Sequence, residues 1–322
     1  MDQPVSDHPP IPDRAPLDGL PADVALVHDY LNQRGGAERV VLEMAAMFPS
    51  APLYTSLYRP SSTFPQYAHL DVRTSFLDRL PVDRHFRALF ALYPAAFRSL
   101  GPIDAELVIS SSSGWAHTVH TVPGAFHAVY CYTPARWLYG DYLTHESTQR
   151  ALEPLAARFR RMDLAAARRA HLYIAISEHV RDRIRLRYER DAAVVYPPVD
   201  IARFTPRPRG ERLLVVSRLL PYKRVDLVVD AATQAGLELD IVGTGPAMAD
   251  LRRRAGPTVR FLGNLPDTQI TALFENCRAV LLPGVEDFGI VPVEANAAGK
   301  PVVAFAAGGV LETIEEGVGG VF

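Results

Sequence analysis

The sequence lacks several features that would assign it to a specialised class of protein. Its two cysteines, Cys131 and Cys277, are too few for a disulfide framework or a four-thiolate zinc site. No apolar run approaches the roughly 20 residues that cross a bilayer. A formal net charge of -2 over 322 residues argues against a nucleic-acid partner recognised through overall charge. What remains, 48% hydrophobic and 22% charged residues, is typical of a globular protein long enough for two domains.

The first 22 residues contain six prolines and little apolar periodicity, which predicts a flexible leader. They also lack the hydrophobic core of a signal peptide, so we expect a cytoplasmic location.

Lysine is almost absent from the sequence. Of its 34 basic residues only Lys223 and Lys300 are lysine, and the other 32 are arginine. Because an ammonium group is more compact and more strongly hydrated than a guanidinium group, these positions indicate places where a point charge is needed. Lys300 precedes an apolar strand pattern, and we interpret it as a structural cation at the end of a helix.

Short apolar runs alternate with helical patterns along the whole chain, which predicts doubly wound parallel α/β sheets. In the first half the predicted strands are 24–27, 107–109, 128–130 and 172–176, with a helix after Gly36 and helices at 83–99 and 150–170. After the proline-rich stretch 196–208 the predicted strands are 213–217, 239–242, 259–262, 279–282 and 301–305, and the predicted helices are 223–235, 247–254, 267–276, 290–298 and 309–316. We therefore predict a leader over 1–22, one domain over 23–200 and a second over 201–322, with a ligand cleft at the carboxyl edges of the two sheets.

Two cations follow the first strand of the second half. Arg218 leaves the end of that strand, and Lys223 is expected to open the next helix. Cations beside a helix N-terminus suit a diphosphate, because charge-assisted hydrogen bonds add to the helix dipole. Solvated surface charge is the alternative interpretation of such a pair.

The turn Gly243-Thr244-Gly245 follows the next predicted strand. It lacks the third glycine and the correctly spaced acid of a dinucleotide fingerprint, so an oxidoreductase is disfavoured. A tight turn that exposes backbone amides is the preferred interpretation.

Two carboxylates, Glu286 and Glu294, lie eight positions apart around the start of a predicted helix. Gly289 allows a close backbone approach, and the first amides of the helix, those of Ile290 and Val291, would face a phosphate. Glu286 would then face a sugar, while Glu294 could accept hydrogen bonds from a vicinal diol such as a ribose edge. Exposed acids at a helix start are the alternative for either glutamate alone.

Together these motifs resemble those of the retaining glycosyltransferases of family 4, which have the two-domain GT-B architecture. The resemblance covers residues 24–322 and rests on Gly35-Gly36-Ala37-Glu38, Tyr196-Pro-Pro-Val-Asp200, Ser217-Arg218 with Lys223, Gly243-Thr-Gly-Pro and the pair Glu286 and Glu294. Relatives usually continue past the position of Phe322 with a helix that returns to the first domain, so the resemblance implies an element that this sequence does not contain.

The resemblance implies a nucleotide-sugar donor held mainly by the second domain. Arg218 and Lys223 would neutralise the diphosphate leaving group, Glu286 would hold the transferred sugar and Glu294 the ribose. From the first domain, Gly35 and Gly36 would approach the phosphates. The remaining donor-binding candidates are Gly243, Phe288, Gly289, Ile290 and Val291, and neither a metal nor another cofactor is expected.

The segment Tyr130-Cys-Tyr132-Thr-Pro-Ala-Arg136 resembles a stretch that in many relatives has a histidine where this chain has Tyr132. That histidine commonly lies close to the donor sugar, whereas a tyrosine with an ordinary pKa near 10 is a poor base at neutral pH. Either Tyr132 only positions other groups, or another residue takes the role. His117 and Arg136 are the candidates on the acceptor side, although His117 could equally be a packing residue.

The acceptor side carries an arginine-rich segment and an aromatic helix. Residues 150–190 contain eleven arginines against five acids, next to a predicted helix near 83–99. This combination suits anionic lipid headgroups or a lipid-linked glycan, and a solvated arginine face is the alternative. The residues that make the helix aromatic and basic are Arg84, His85, Phe86, Leu89, Phe90, Leu92, Tyr93 and Phe97.

The resulting functional prediction is a retaining transferase of a hexose, mannose from GDP-mannose being favoured over a UDP-linked sugar. The acceptor would be a glycan or a lipid-linked polysaccharide precursor, and the protein would work in the cytoplasm, peripherally at the inner face of the membrane. The alternative is a catalytically weak, nucleotide-sugar-binding protein that acts with a partner.

Overall fold

The computed structural model describes residues 19, 21–80, 89, 91–139 and 146–322, with only the backbone for 146–152. Nearly all of the predicted leader, and Arg84, His85, Phe86 and Phe90 of the predicted aromatic helix, lie outside the described residues. The described residues form two compact units. One contains the chain up to Ile176 and Val180–Tyr196, and the other contains Ser177–His179 and Pro197–Phe322.

The first unit is built on a parallel sheet of seven strands among its described residues, in the order β3-β2-β1-β5-β7-β8-β9. The strands are β1 Val24–His28, β2 Leu53–Thr55, β3 Val72–Thr74, β4 Pro102–Ile103, β5 Leu107–Ser112, β6 His120–Thr121, β7 Phe126–Cys131, β8 Leu172–Ala175 and β9 Ala193–Val194, of which β4 and β6 pair separately. The helices are α1 Gly36–Met47, α2 Tyr93–Ser99, α3 Arg136–Tyr139, α4 Glu146–Arg169 and α5 Glu178–Tyr188, the first two residues of α5 belonging to the second unit.

The second unit is built on a parallel sheet of six strands, in the order β12-β11-β10-β13-β14-β15. The strands are β10 Leu213–Val216, β11 Leu239–Val242, β12 Val259–Gly263, β13 Ala279–Leu282, β14 Val302–Ala304 and β15 Gly320–Val321. The helices are α6 Val225–Ala235, α7 Met248–Arg254, α8 Asp267–Asn276, α9 Ile290–Ala297 and α10 Val310–Thr313. The predicted fold class, parallel α/β sheets of the Rossmann type, is therefore confirmed.

The strand order of each sheet reverses once. In the first unit the chain runs outward from β1 to β2 and β3, and then returns to place β5 on the other side of β1. In the second unit it runs from β10 to β11 and β12, and then returns to place β13 beside β10. Ligands of open α/β sheets bind at the carboxyl ends of the strands that flank such a reversal.

Both faces of the second sheet are covered by apolar side chains. One cluster contains Val215, Val229 and Leu251, and another contains Phe274 and Val302, each almost fully buried. Because the sheet is buried on both faces, its strands read as continuous apolar runs rather than as alternating patterns.

The structure corrects some predicted boundaries. The helix expected to start at Lys223 begins at Val225, because Arg224 adopts a left-handed conformation at φ 51° after a 3-10 turn over Pro221–Lys223. The helix expected over 309–316 is confined to Val310–Thr313. The described helical part of the predicted segment 83–99 is Tyr93–Ser99.

Candidate functional site

The reversal point of the second sheet brings together two of the predicted site residues. Lys223 follows β10 and Glu286 follows β13, and the Lys223 ammonium donates a hydrogen bond to Glu286 Oε2. The two side chains are 12% and 23% exposed, so solvent reaches the pair only in part. A Cβ atom at Gly284 would lie 2.8 Å from Lys223 Cα, which shows how closely the two loops pack.

The loop after β14 fixes the backbone of Glu286. Gly309 donates its N–H to the Glu286 carbonyl at 2.8 Å, and a Cβ atom at Gly308 would lie 2.4 Å from that oxygen. Glu286 is therefore held by its backbone as well as by its ion pair. Lys223, predicted as a cation for a phosphate, is paired with a carboxylate in this structure.

Glu294 lies in helix α9, which begins directly after Gly289. Gly289 has φ 97°, a conformation that favours glycine, and it gives the helix no side-chain cap. Glu294 is 8% exposed and forms an ion pair with Arg203. Sequence reasoning missed Arg203, because 91 positions separate the two residues and no local pattern connects them.

One amide of the predicted turn Gly243-Thr244-Gly245, that of Gly243, is engaged within the sheet. The Gly243 N–H donates to the Gly263 carbonyl at 2.8 Å. Gly243 has φ 122°, and a Cβ atom there would lie 2.0 Å from the Ser217 carbonyl oxygen. The glycine therefore allows the turns after β10 and β11 to touch, and Arg218 is an exposed residue of the first of these turns.

The reversal point of the first sheet is organised by Asp29, which sequence reasoning missed. Its buried carboxylate accepts backbone hydrogen bonds from Ser113 at 2.6 Å and from Trp115 and Ala116 at 2.8 Å. These bonds fix the loop that follows β5 against the end of β1. The sequence signal that could have indicated this role of Asp29 is its position, as an acid directly after an apolar strand.

Gly35 and Gly36 begin helix α1, as a pair of small residues above the end of β1. A Cβ atom at Gly35 would lie 2.6 Å from Oε2 of the buried Glu38. Oε1 of that carboxylate accepts a hydrogen bond from Gln33 at 2.8 Å. Gly35 thus leaves room for the carboxylate of Glu38, a residue of the same motif to which the sequence had assigned no role.

Tyr132 is buried within the first unit. Its hydroxyl accepts a hydrogen bond from Ser111 Oγ at 2.9 Å and lies 3.1 Å from the Ala37 carbonyl, to which it donates. Burial raises the pKa of Tyr132 well above its usual value, so the hydroxyl stays protonated at neutral pH. Between the two predicted roles, the structure favours positioning, since Tyr132 connects β5 to the start of α1.

The acceptor-side candidates are also buried. His117 is 2% exposed, with Nε2 lying 3.1 Å from Asp163 Oδ1, and its ring packs against Tyr188. This corrects its assignment as a substrate-facing residue and favours the packing alternative. Arg136 is the first residue of helix α3 and is 8% exposed.

Lys300, predicted as a structural cation at the end of a helix, is fully buried in the second unit. It donates hydrogen bonds to the carbonyls of Arg207 and Pro208 at 2.7 Å, rather than to the end of a helix.

Several arginines of the segment 150–190 have partners within the protein. Arg160 pairs with Glu153, Arg168 with Glu189 at 2.9 Å, and Arg190 donates to the carbonyls that end α4. No helix in the described part of the chain is both long enough and apolar enough to span a bilayer.

Two protein-family models match consecutive parts of the chain. The model of "Glycosyltransferase Family 4" matches residues 34–203, and that of "Glycosyl transferases group 1" matches residues 200–322. The chain belongs to glycosyltransferase family 4. The predicted family resemblance is therefore confirmed.

Curated relatives match part of the chain. A D-inositol 3-phosphate glycosyltransferase of Actinosynnema mirum is 35% identical over a 160-residue alignment that covers 39% of this chain and 38% of the relative. The enzyme of the same name from Mycobacterium tuberculosis is 33% identical over a 151-residue alignment that covers 39% of this chain and 32% of the relative. The chain thus spans about a third of the length of these relatives.

Solved structures share the fold over nearly the whole chain. Anabaena HepE in complex with UDP and glucose superimposes with a TM-score of 0.69 at 22% identity, covering 92% of this chain and 84% of that one. Sucrose-phosphate synthase of Thermosynechococcus elongatus gives a TM-score of 0.66 at 17% identity, covering 92% and 85%. These similarities establish the GT-B fold class.

Proposed function

We propose that the chain transfers a hexose from a nucleotide sugar to a glycan or to a lipid-linked polysaccharide precursor, with retention at the anomeric carbon. The observation that carries this proposal is the meeting of Lys223 with Glu286 at the reversal point of the second sheet, next to the helix that carries Glu294. The matched family supports the reaction class and retention.

The departure of the nucleoside diphosphate needs positive charge where negative charge develops. Lys223 and Arg218, together with the first amides of α9 at Ile290 and Val291, would supply it. The same residues would bind the diphosphate without a metal ion, so we expect rates to be unchanged by a chelator. A loss of activity in EDTA that added magnesium restores would contradict this part of the proposal.

The two glutamates would hold the two sugars of the donor. Glu286 would accept hydrogen bonds from hydroxyls of the transferred hexose, and its hydrogen bond from Lys223 supports a role beside the proposed phosphate-binding cation. Glu294 would accept hydrogen bonds from the ribose diol, since a carboxylate offers about four acceptor positions.

The donor proposed from the sequence is GDP-mannose, because the segment Tyr130–Arg136 resembles that of mannosyltransferases. UDP-glucose is the main competitor, since HepE was crystallised with it. The deciding experiment is a screen of the purified protein against UDP-, GDP- and ADP-sugars, measuring binding by thermal shift and turnover by nucleotide release. Stabilisation by none of these donors would contradict the proposed function.

The proposed acceptor side includes contact with an anionic membrane surface. The arginine excess of residues 150–190 supports this, although part of it is neutralised within the fold. Flotation with vesicles of anionic lipid tests the contact, and recovery of the protein equal to that on neutral vesicles would remove it. An inositol phosphate should be included among the acceptors, because the matched relatives are named for one.

A second candidate function is a nucleotide-sugar-binding protein of low activity that acts with a partner. It is favoured by one observation, the buried and protonated Tyr132 in place of the histidine that many relatives carry. Calorimetry together with a donor-hydrolysis assay separates the two candidates, since tight binding without turnover supports the second.

A further inference from the structure

We propose that Arg203 is a positioning residue that holds Glu294 in the orientation in which its carboxylate recognises the 2′-hydroxyl of a nucleotide. This inference rests on the proposed function, because it assumes that a nucleoside diphosphate binds the second unit.

The pairing of Arg203 with Glu294 is specific and shielded. A terminal guanidinium nitrogen of Arg203 donates to Glu294 Oε1, and the two side chains are 18% and 11% exposed. The Arg203 guanidinium also lies over the ring of Phe204, 4.6 Å from its centroid. Because a charged pair that is mostly shielded from solvent is screened less than one on the surface, this contact fixes both side chains more firmly than an exposed salt bridge would.

The segment that carries Arg203 is itself anchored to the second unit. Phe204 packs edge-on against the buried Phe274, with ring centroids 5.6 Å apart. The next residue, Thr205, donates its N–H to Glu275 at 2.8 Å. Two and three positions after Thr205, the carbonyls of residues 207 and 208 accept hydrogen bonds from the buried Lys300 ammonium. Arg203 therefore extends from a fixed backbone, and it can hold the Glu294 carboxylate at a fixed rotation.

The carboxylate of Glu294 has enough acceptor positions for both Arg203 and a ribose diol. Glu294 can accept from Arg203 on Oε1 and still offer acceptor positions to a diol, since two oxygens provide about four lone-pair sites. Recognition of a hydroxyl by a buried polar group is sensitive to the orientation of that group, and a hydrogen bond to a charged group is stronger than one between neutral groups. Loss of Arg203 should therefore reduce the discrimination of ribose from 2′-deoxyribose more than it reduces the contacts with the diphosphate.

The test compares the affinity of UDP and GDP with that of their 2′-deoxy analogues by calorimetry. For the wild-type protein we expect the deoxy form of the preferred nucleotide to bind at least tenfold more weakly, as the loss of a charge-assisted hydrogen bond implies. In Arg203→Met this ratio should fall to about twofold or less, and Arg203→Lys, which keeps the charge but not the planar fork, should give an intermediate ratio.

Arg207→Met is the matched control. Arg207 lies on the same segment and forms an ion pair with Glu275 at 3.0 Å, but it does not contact Glu294 among the contacts described. It should leave the ratio at its wild-type value. If Arg203→Met does not fold, the ratio in Arg203→Lys decides the question.

The outcomes separate the inference from the proposed function. A wild-type ratio in Arg203→Met or, where that variant does not fold, in Arg203→Lys overturns the role of Arg203, while the proposed function stands. If Glu294→Gln also keeps the wild-type ratio between the nucleotide and its 2′-deoxy analogue, Glu294 does not recognise the ribose. That outcome overturns the inference. Failure of the wild-type protein to bind any of UDP, GDP and ADP contradicts the proposed function and the inference with it.

Discussion

Lys223 and Glu286 neutralise each other in the structure, so a phosphate that approaches Lys223 must compete with a carboxylate already in place. This predicts opposite effects of removing the two charges. Lys223→Met should weaken the binding of the free nucleoside diphosphate about tenfold or more, because a charge-assisted hydrogen bond is lost. Glu286→Gln should bind the same diphosphate at least as tightly as the wild type, while turnover of the nucleotide sugar falls.

Calorimetry with UDP and GDP, and initial rates with the preferred donor, measure these effects. Asp226→Asn is the matched control, because Asp226 forms an exposed ion pair with the neighbouring Arg224. The distance from Arg224 Nε to Asp226 Oδ1 is 3.2 Å. Asp226→Asn should change neither quantity. Weaker diphosphate binding in Glu286→Gln would show that the carboxylate supports the phosphate site instead of competing for it.

Tyr132 is predicted to act through its hydrogen bonds and not as a base. Tyr132→Phe removes two hydrogen bonds, the one its hydroxyl accepts from Ser111 Oγ and the one it donates to the Ala37 carbonyl, and we expect it to lower the free energy of unfolding by about 1–3 kcal/mol. The rate per folded molecule should change only a few-fold, and the pH dependence of kcat should keep its shape, since burial keeps the pKa of Tyr132 far above neutrality. Urea unfolding measures the free energy of unfolding, and kcat measured over a range of pH gives the rate and its pH dependence. A hundredfold loss of kcat at unchanged donor affinity would instead assign Tyr132 a chemical role.

At the scale of elements, the contact between the turns after β10 and β11 depends on Gly243. An alanine there would have an unfavourable φ and a Cβ atom 2.0 Å from the Ser217 carbonyl oxygen, whereas an alanine at Gly236, with φ 64°, would meet no atom within 4 Å. Gly236→Ala should therefore cost about 1–2 kcal/mol of stability from strain alone. Gly243→Ala should cost about 1–3 kcal/mol more through overpacking, and it alone should weaken nucleotide binding by displacing the turn of Arg218. Equal losses of stability and unchanged binding in both variants would contradict this role for the turn.

The sequence allowed the main strands to be predicted because a buried parallel strand is apolar on both faces, as at Val24–His28 and Ala279–Leu282. The edge strand β3 and its neighbour β2 have three residues each, which are too few to distinguish a strand pattern from a loop. Within the site, Lys223 and Glu286 could be named individually because each lies near a strand end. Their ion pair, and that of Arg203 with Glu294, could not be predicted, because they join residues 63 and 91 positions apart through the strand order of the sheet.

At the scale of the whole molecule, both sheets place polar groups where the strand order reverses. In the first unit Asp29 fixes the loop after β5, and in the second Lys223 and Glu286 connect the loops after β10 and β13. An open parallel sheet leaves a gap at that point, since the connections on either side lead away from each other. The same topological cause therefore places a polar cluster in each unit, although the two clusters share no residue pattern.

The stability of the whole protein should fall in mild acid because of His127, a buried histidine of β7. Its Nε2 lies 2.8 Å from Ser110 Oγ, and burial, with smaller contributions from His117, His171 and Arg169, lowers its pKa to about 3. An unfolded chain protonates this histidine near pH 6.5, whereas the folded protein does not, so stability decreases as the pH falls from 6.5 towards 3. For these two pKa values the loss between pH 7 and pH 5 is about 2 kcal/mol.

Urea unfolding at pH 7 and pH 5 measures this loss, and His127→Gln should reduce it by about the same 2 kcal/mol, because glutamine does not titrate. His69→Gln is the control, since His69 is an exposed histidine of the same unit, and it should leave the difference between the two pH values unchanged. His127→Gln will also lower the stability at pH 7 through imperfect packing, so the quantity that decides is the difference between pH values within each variant. An undiminished acid loss in His127→Gln would show that other groups, such as paired carboxylates, cause it.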